Sequence, residues 1–271
     1  NRHLKSAGIA YATPEYLKTL DAATKAKSFI LVQDAFTRFF DTRVVIDCLT
    51  LLQQLGFNPL VAPFTPNGKP LHVHGFLPEF KATAAQTAEA LKTLTQSNLP
   101  LVGLDPAMTL TYRSEYVKAL GQDSAPRVLL IQEWLNQNLS HLEKYKPQFN
   151  AATFKLLGHC TEKTNAPASH MQWQGIFSAL GLTLAIENVG CCGMSGTFGH
   201  EAKNRETSSK IFDLSWRLPV TDEANRGKLL ATGYSCRSQS VREAGIQLQH
   251  PLQGLLASIK KRENTNTTQA S

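Results

Sequence analysis

Short apolar runs alternate along the chain with stretches in which apolar residues recur every three or four positions. Ser28 to Val32 is a short apolar run, as buried parallel strands are. Pro59–Pro63 and Leu99–Leu104 read the same way. Thr13-Pro14-Glu15 is a helix start, a cap followed by proline. Asp41-Thr42 offers the next cap, Val44, Val45, Cys48, Leu51, Leu52 and Leu55 mark one helical face, and Gly56 ends it. Helices are expected over about 82–96 and from about Pro106. The second half repeats the order: strand Thr153–Leu157, helix Ala168–Leu180, strand Leu182–Ile186, helix His200–Trp216, strand Lys228–Thr232, and a helix after Cys236. Strand and helix alternating over short loops predict an α/β fold with mostly parallel sheets.

The halves overlay. A shift of 125 places Phe29 on Phe154, Leu31 on Leu156, Leu55 on Leu180, Gly56 on Gly181 and Gly68 on Gly193. A shift of 128 then places Leu101 on Leu229 and Glu115 on Glu243. Any two βαβ units share some of this, but constant offsets favour an internal duplication. The expected organisation is a helical lead-in over 1–27, a first lobe over 28–125, a second over 126–262 and a frayed tail over 263–271. Each lobe is expected to be a mostly parallel sheet flanked by helices.

Composition narrows the class. The chain has 271 residues, 42% of them hydrophobic and 18% charged, so it can bury a core. A net charge of +7 is spread singly, apart from Lys260, Lys261 and Arg262. No basic stripe interleaved with aromatics is present, so nucleic acid is not an expected partner. No apolar run approaches the length of a membrane-spanning helix, and no signal-peptide pattern opens the chain. The chain opens on Asn1 rather than Met and is expected to be cut from a longer protein.

Five cysteines are too few for a disulfide scaffold. Cys48 sits on an apolar helix face and reads as core. Cys160, Cys191, Cys192 and Cys236 follow strands of the second half, where ligands of α/β sheets sit. The overlay matches them with Ala35, Pro66, Asn67 and Met108, so the thiol set exists in one repeat only. Four soft thiolates suit an iron–sulfur cluster or zinc. Adjacent cysteines with two distant singletons fit the paired spacing of structural zinc poorly. A strained vicinal disulfide, a catalytic thiol and inert burial remain the other readings. Gly190 and Gly193 bracket the Cys-Cys pair, allowing a tight turn and bringing backbone N–H groups to sulfur. A helix beginning near His200 would point its N-terminus at the site.

Gly158-His159-Cys160, the run Gly190-Cys191-Cys192-Gly193-Met194-Ser195-Gly196-Thr197-Phe198-Gly199, and Gly233-Tyr234-Ser235-Cys236 resemble the CCG cysteine-rich domain family. That family includes a cysteine-rich component of heterodisulfide reductase and the iron–sulfur components of glycolate oxidase and anaerobic glycerol-3-phosphate dehydrogenase. The resemblance runs from about Ser28 to Gly245 and is strongest to the C-terminal region of fused FAD and iron–sulfur dehydrogenases of D-2-hydroxy acids, the D-lactate and D-2-hydroxyglutarate type. It implies an electron-transfer module carrying a [4Fe–4S]-type cluster on Cys160, Cys191, Cys192 and Cys236. It implies FAD in the parent protein but not on this chain, with upstream FAD-binding and ferredoxin-like domains as partners and a quinone or other carrier as acceptor. Neither a G-x-G-x-x-G nor a ferredoxin-type cysteine run is present here. The family's closing C-x-x-C pair is Cys236-Arg237-Ser238-Gln239 here, so the last thiol is missing. The first repeat is expected to serve packing or docking.

His159 and His200 are candidates for ligation, for hydrogen bonding to sulfur or for carrying a proton. Lys163 and Arg237 adjoin the cysteines, and Lys203 and Arg205 lie in the following helix. His72 and His74 are expected on one face of an extended segment. A zinc or metal-free docking domain and a thiol–disulfide reductase module are the alternative functions. The expected location is the cytoplasm, with the inner membrane face and self-association left open.

Overall fold

The computed structural model describes residues 7–260; Lys261, Arg262 and the tail over 263–271 lie outside the described residues. Among the described residues, seven strands form two parallel sheets. β1 (Ser28–Leu31), β2 (Asn58–Val61), β3 (Leu101–Gly103) and β4 (Val128–Leu130) lie in the order β2-β1-β3-β4. β5 (Thr153–Leu157), β6 (Thr183–Ile186) and β7 (Leu229–Ala231) lie in the order β6-β5-β7. The expected α/β architecture of two lobes is what forms.

The offsets read from sequence recur in three dimensions. Ser28 pairs with Asn58 at the start of β1–β2, and Thr153 pairs with Thr183 at the start of β5–β6. Both members of the second pairing lie 125 residues beyond the first. β3 and β7 start 128 residues apart and flank β1 and β5 respectively. Gly56 and Gly181 end matching helices at φ 75° and 80°, and Gly68 and Gly193 match at φ 73° and 91°. These left-handed values favour residues without a Cβ. Among the described residues, β4 has no counterpart in the second sheet.

Helix expectations need four corrections. Leu77–Thr95 begins five residues before the expected 82, because Pro78 is seated in the first turn. Two 3-10 turns, Phe198–His200 and Ala202–Asn204, precede a helix that starts only at Arg205. Ser195 at φ 38° and Gly196 at φ 66° hold this stretch in irregular backbone, so no long helix points at the thiols from His200. The Cys236 helix starts earlier than expected, at Tyr234. His72 lies in the helix Lys69–Val73 and His74 caps its end, in place of an extended segment.

One apolar core runs through both lobes. Phe29, Leu31, Val44, Leu49 and Leu52 of the first join Phe154, Leu156, Trp173, Ile176 and Leu252 of the second. The helix Thr42–Gln54 packs on Pro251–Ser258, and Ile131–Asn136 packs on Ser169–Ala179. Cys48 is fully buried in this core, as its place on the apolar face implies. Burial pushes its thiol pKa up. A separate cluster containing Cys192, Met194, Phe212, Trp216 and Cys236 lies under the thiol site.

Candidate metal centre

Parallel pairing puts the C-terminal ends of β5, β6 and β7 at one edge of the second sheet. The segments leaving those ends carry Cys160, Cys191–Cys192 and Cys236. This is where α/β sheets place ligands. All four thiols are free and come together as a chain of neighbours. Cys191 lies within hydrogen-bonding reach of Cys160 and of Cys192, and Cys192 within reach of Cys236. Cys192 and Cys236 are buried, whereas Cys160 and Cys191 are partly exposed.

The chain concentrates charge on one sulfur. Contacts from Cys160 and Cys192 and the Gly193 backbone N–H hold the Cys191 thiol far below its ordinary range. The Cys160 thiol is pushed up by donating to Cys191 and then by burial. The Cys192 thiol is pushed up by its contacts with Cys191 and Cys236, then by burial. Cys191 is thus the thiolate around which its neighbours act as donors. Gly193 N–H donates to Cys191 Sγ at 3.3 Å. That is the backbone-to-sulfur contact expected of a tight turn here.

Gly193 cannot be replaced without cost. A Cβ there would meet Ser208 O at 2.2 Å, on top of the φ of 91°. Gly190 has no such requirement, since a Cβ would meet only Ser215 Oγ, at an ordinary 3.4 Å. Its backbone is gripped instead: Gly190 N–H donates to Ser215 Oγ at 2.8 Å, and Trp216 Nε1 donates to Gly190 O at 3.0 Å. Lys163 Nζ donates to Val189 O and steadies the approach to the Cys-Cys pair.

His159 is 5% exposed and its Nδ1 accepts from Thr161 N–H at 3.2 Å, capping the helix Cys160–Asn165. Nε2 therefore carries the proton and donates to Ser235 Oγ at 3.2 Å. Burial lowers its pKa and keeps the ring neutral. His159 thus joins the Cys160 helix to the segment before Cys236. His200 is exposed at the end of its 3-10 turn, away from this network. Lys203 pairs at the surface with Glu201.

Several residues that hold the site carry no sequence motif. Glu162 is fully buried and accepts from Gln132 Nε2 at 2.8 Å, from Thr232 Oγ1 at 2.5 Å, and from Ser169 Oγ. Burial raises its pKa. It ties the Cys160 helix to the end of β7 and to two neighbouring helices. Gln239, where the resembled family has its last thiol, donates to Ser208 Oγ at 3.0 Å, and Ser208 Oγ donates to Gly193 O at 2.8 Å. Gln239 thus clamps the Cys-Cys-Gly turn through Ser208. Gln239 Oε1 is left buried without a partner.

Arg237, 2% exposed, donates to Ala231 O and Thr232 O, and reaches Asp41 of the first lobe with Nε at 3.1 Å and Nη2 at 2.8 Å. Asp41 stands at the expected helix start but makes no side-chain cap, because its carboxylate is engaged by Arg237. In the first lobe, the positions matching Cys192 and Cys236 also touch: Asn67 Nδ2 donates to Met108 O at 3.2 Å. The same nitrogen lies 3.9 Å from the Met108 thioether sulfur, so an amide and a thioether stand where the second lobe has thiols.

Among the described residues no group of three or more His, Cys, Asp or Glu side chains is placed to hold one metal ion. The donor set offers sulfur in a chain rather than a cage around a point. A cleft of about 580 Å³ is lined by Tyr112, Arg113, Arg127, Glu133 and Gln172, among others, and by none of the cysteines. No helix among the described residues is long and apolar enough to cross a membrane.

No protein-family model matches the chain. Over 248 residues, 92% of the chain, it is 48% identical to D-2-hydroxyglutarate dehydrogenase of Pseudomonas putida. It is 45% identical over 252 residues to the protein of that name from Escherichia coli. The chain spans only 24% of the length of each of these relatives. A more distant relative, one of the subunits of anaerobic glycerol-3-phosphate dehydrogenase of Escherichia coli, is 22% identical over 194 residues, covering 68% of the chain and 47% of the relative.

Proposed function

We propose that this chain is an iron–sulfur electron-transfer module of an FAD-dependent dehydrogenase acting on a D-2-hydroxy acid, D-2-hydroxyglutarate first among the candidates and D-lactate or glycolate after it. The carrying observation is the run of four contiguous thiols at the C-terminal edge of the second sheet. The extent of the likeness to D-2-hydroxyglutarate dehydrogenases, and the quarter of their length that it spans, support a module within a larger oxidoreductase. In this reading the four-stranded sheet, which runs through β4 at Leu130, belongs to a thiol-free lobe, and the three-stranded sheet that starts at Thr153 belongs to the lobe that binds the cluster.

The residues fit the group. Cys160, Cys191, Cys192 and Cys236 would each supply one thiolate to a [4Fe–4S] cluster, and a chain of sulfurs suits several irons better than one ion. Such a cluster supplies one-electron transfer when bound. Gly193 N–H donates to Cys191 Sγ, and a backbone hydrogen bond to a ligand sulfur tunes potential. His159, neutral and hydrogen-bonded on both nitrogens, holds two of the cysteine-bearing segments in register. Flavin and substrate would be handled by domains outside this chain, with a quinone or other carrier accepting the electrons.

Anaerobic reconstitution with iron and sulfide tests this. Wild-type protein is expected to take up about four irons and to give a cluster absorption and EPR signal; Cys191→Ser is expected to lose them. No iron–sulfur signal in wild-type protein sinks the reading. A metal-free docking role is the second reading, favoured by the exposed rings of Phe39 and Phe40, the latter beside Tyr234. It predicts full folding and partner binding with no iron.

A further inference from the structure

We propose that the first lobe positions the Cys236 helix through Asp105, and that its carboxylate sets the electrical environment of the thiol site. The inference rests on the iron–sulfur reading for its electrical part only. The helix Tyr234–Ala244 has Gly233 at its N-cap and no side-chain cap of its own. It cannot acquire one there: a Cβ on Gly233 would meet His159 Cδ2 at 2.2 Å. The helix end is capped across the lobes instead. Asp105 Oδ2 accepts the Tyr234 N–H at 2.8 Å, while its Oδ1 accepts Met108 N–H at 3.1 Å in its own helix. One carboxylate, 2% exposed, thus closes two helix N-termini.

The consequence is chemical as well as structural. A buried anion on the Tyr234 N–H, two residues before Cys236, disfavours any further negative charge at the thiols, because a buried pair is weakly screened. Reduction adds such a charge, so Asp105 holds the potential of a bound cluster down. Asp34, at the matching cap of the neighbouring helix, lies within the same field, as does His159. Arg237 bound to Asp41 anchors the same helix turn to the first lobe a second time.

Two variants of the 271-residue chain test this. Asp105→Ser keeps a cap for its own helix but is too short to reach Tyr234. In metal-free protein it is expected to speed alkylation of Cys236 about tenfold, with Cys48 still unreactive as a monitor of global folding. A Cys236 rate that is unchanged, or that rises only together with Cys48, overturns the positioning role. Asp105→Asn loses the charge and keeps one of the two acceptors, so the Cys236 alkylation rate of this variant is measured beside its potential, and only a potential shift at an unchanged rate counts as electrical. In reconstituted protein it is expected to hold its iron and favour the reduced form about tenfold, a rise of about 59 mV for one electron. An unmoved potential at full iron content overturns the electrical role. Wild-type protein that takes up no iron removes the iron–sulfur reading and with it the electrical role. The alkylation result still decides the positioning role.

Discussion

Asp34 is a carboxyl that folding makes a weaker acid. Burial, and then the nearby Asp105 carboxylate, push its pKa up to about 7, although it caps its helix by accepting Thr37 N–H at 2.9 Å. The unfolded value is about 3.9. The folded state therefore binds this proton more tightly. The contribution is fully present below about pH 4 and is lost as pH rises through about 7. Asp34→Asn keeps the capping oxygen and removes the titration. Its melting temperature, measured from pH 4.5 to 7.5, is expected to rise relative to wild type as pH increases; parallel curves for the two proteins would refute this. Residues of this kind were not legible in the sequence. The cysteines announce themselves by type and spacing, but Asp34 and Asp105 look like ordinary helix caps until the pairing of β1 with β3 places them together. Gln239 was legible only as an absent thiol, and its clamp on Ser208 needed coordinates.

At the scale of elements, the Cys236 helix is held by a buried ion pair as well as by its borrowed cap. Arg237 is 2% exposed and its Asp41 partner 18%, so removing the carboxylate strands a buried cation. Breaking such a pair costs about 3–5 kcal/mol. Asp41→Ala is expected to lose stability on that scale in urea unfolding, with Asp41→Asn losing less. A loss below about 1 kcal/mol would place the pair among ordinary surface bridges. The sequence marked Asp41 as a helix cap, and its position was right. Its chemistry was not, because Arg237 lies 196 residues away and outcompetes the local N–H groups. Strands were legible almost to the residue, since buried parallel strands are continuous apolar runs. The helix expected from His200 failed because apolar periodicity continues across backbone that Ser195 and Gly196 have already diverted. β4 was missed: Val128–Leu130 is three residues long and runs directly into a helix.

At the scale of the molecule, the matching architecture of the two lobes explains how one of them can lack thiols at its strand ends and still matter. Matching strands, helix stops and left-handed glycines show two copies of one architecture, and the first closes its loops with Asn67 on Met108. Each sheet is covered by helices that also cover the other. Thr42–Gln54 meets Pro251–Ser258, and Gln253 Nε2 donates to Asp47 Oδ2 at 2.9 Å across that contact. Cutting the chain between the lobes would expose Phe29, Val44 and Leu52 on one side and Trp173, Ile176 and Leu252 on the other, all buried in the shared core. Apolar burial is the main favourable term in folding, and the first lobe would keep only the cluster around Ile30, Phe80 and Tyr116 on the far face of its sheet. The lobes are therefore expected to unfold as one unit. Calorimetry of the whole chain should give a single transition whose calorimetric and van 't Hoff enthalpies agree. A fragment covering 7–138, which keeps all four strands of the first sheet, should show no cooperative melt. Two resolved transitions, or a cooperative fragment, would mean that the lobes are independent domains and that the first cannot brace the thiol site of the second.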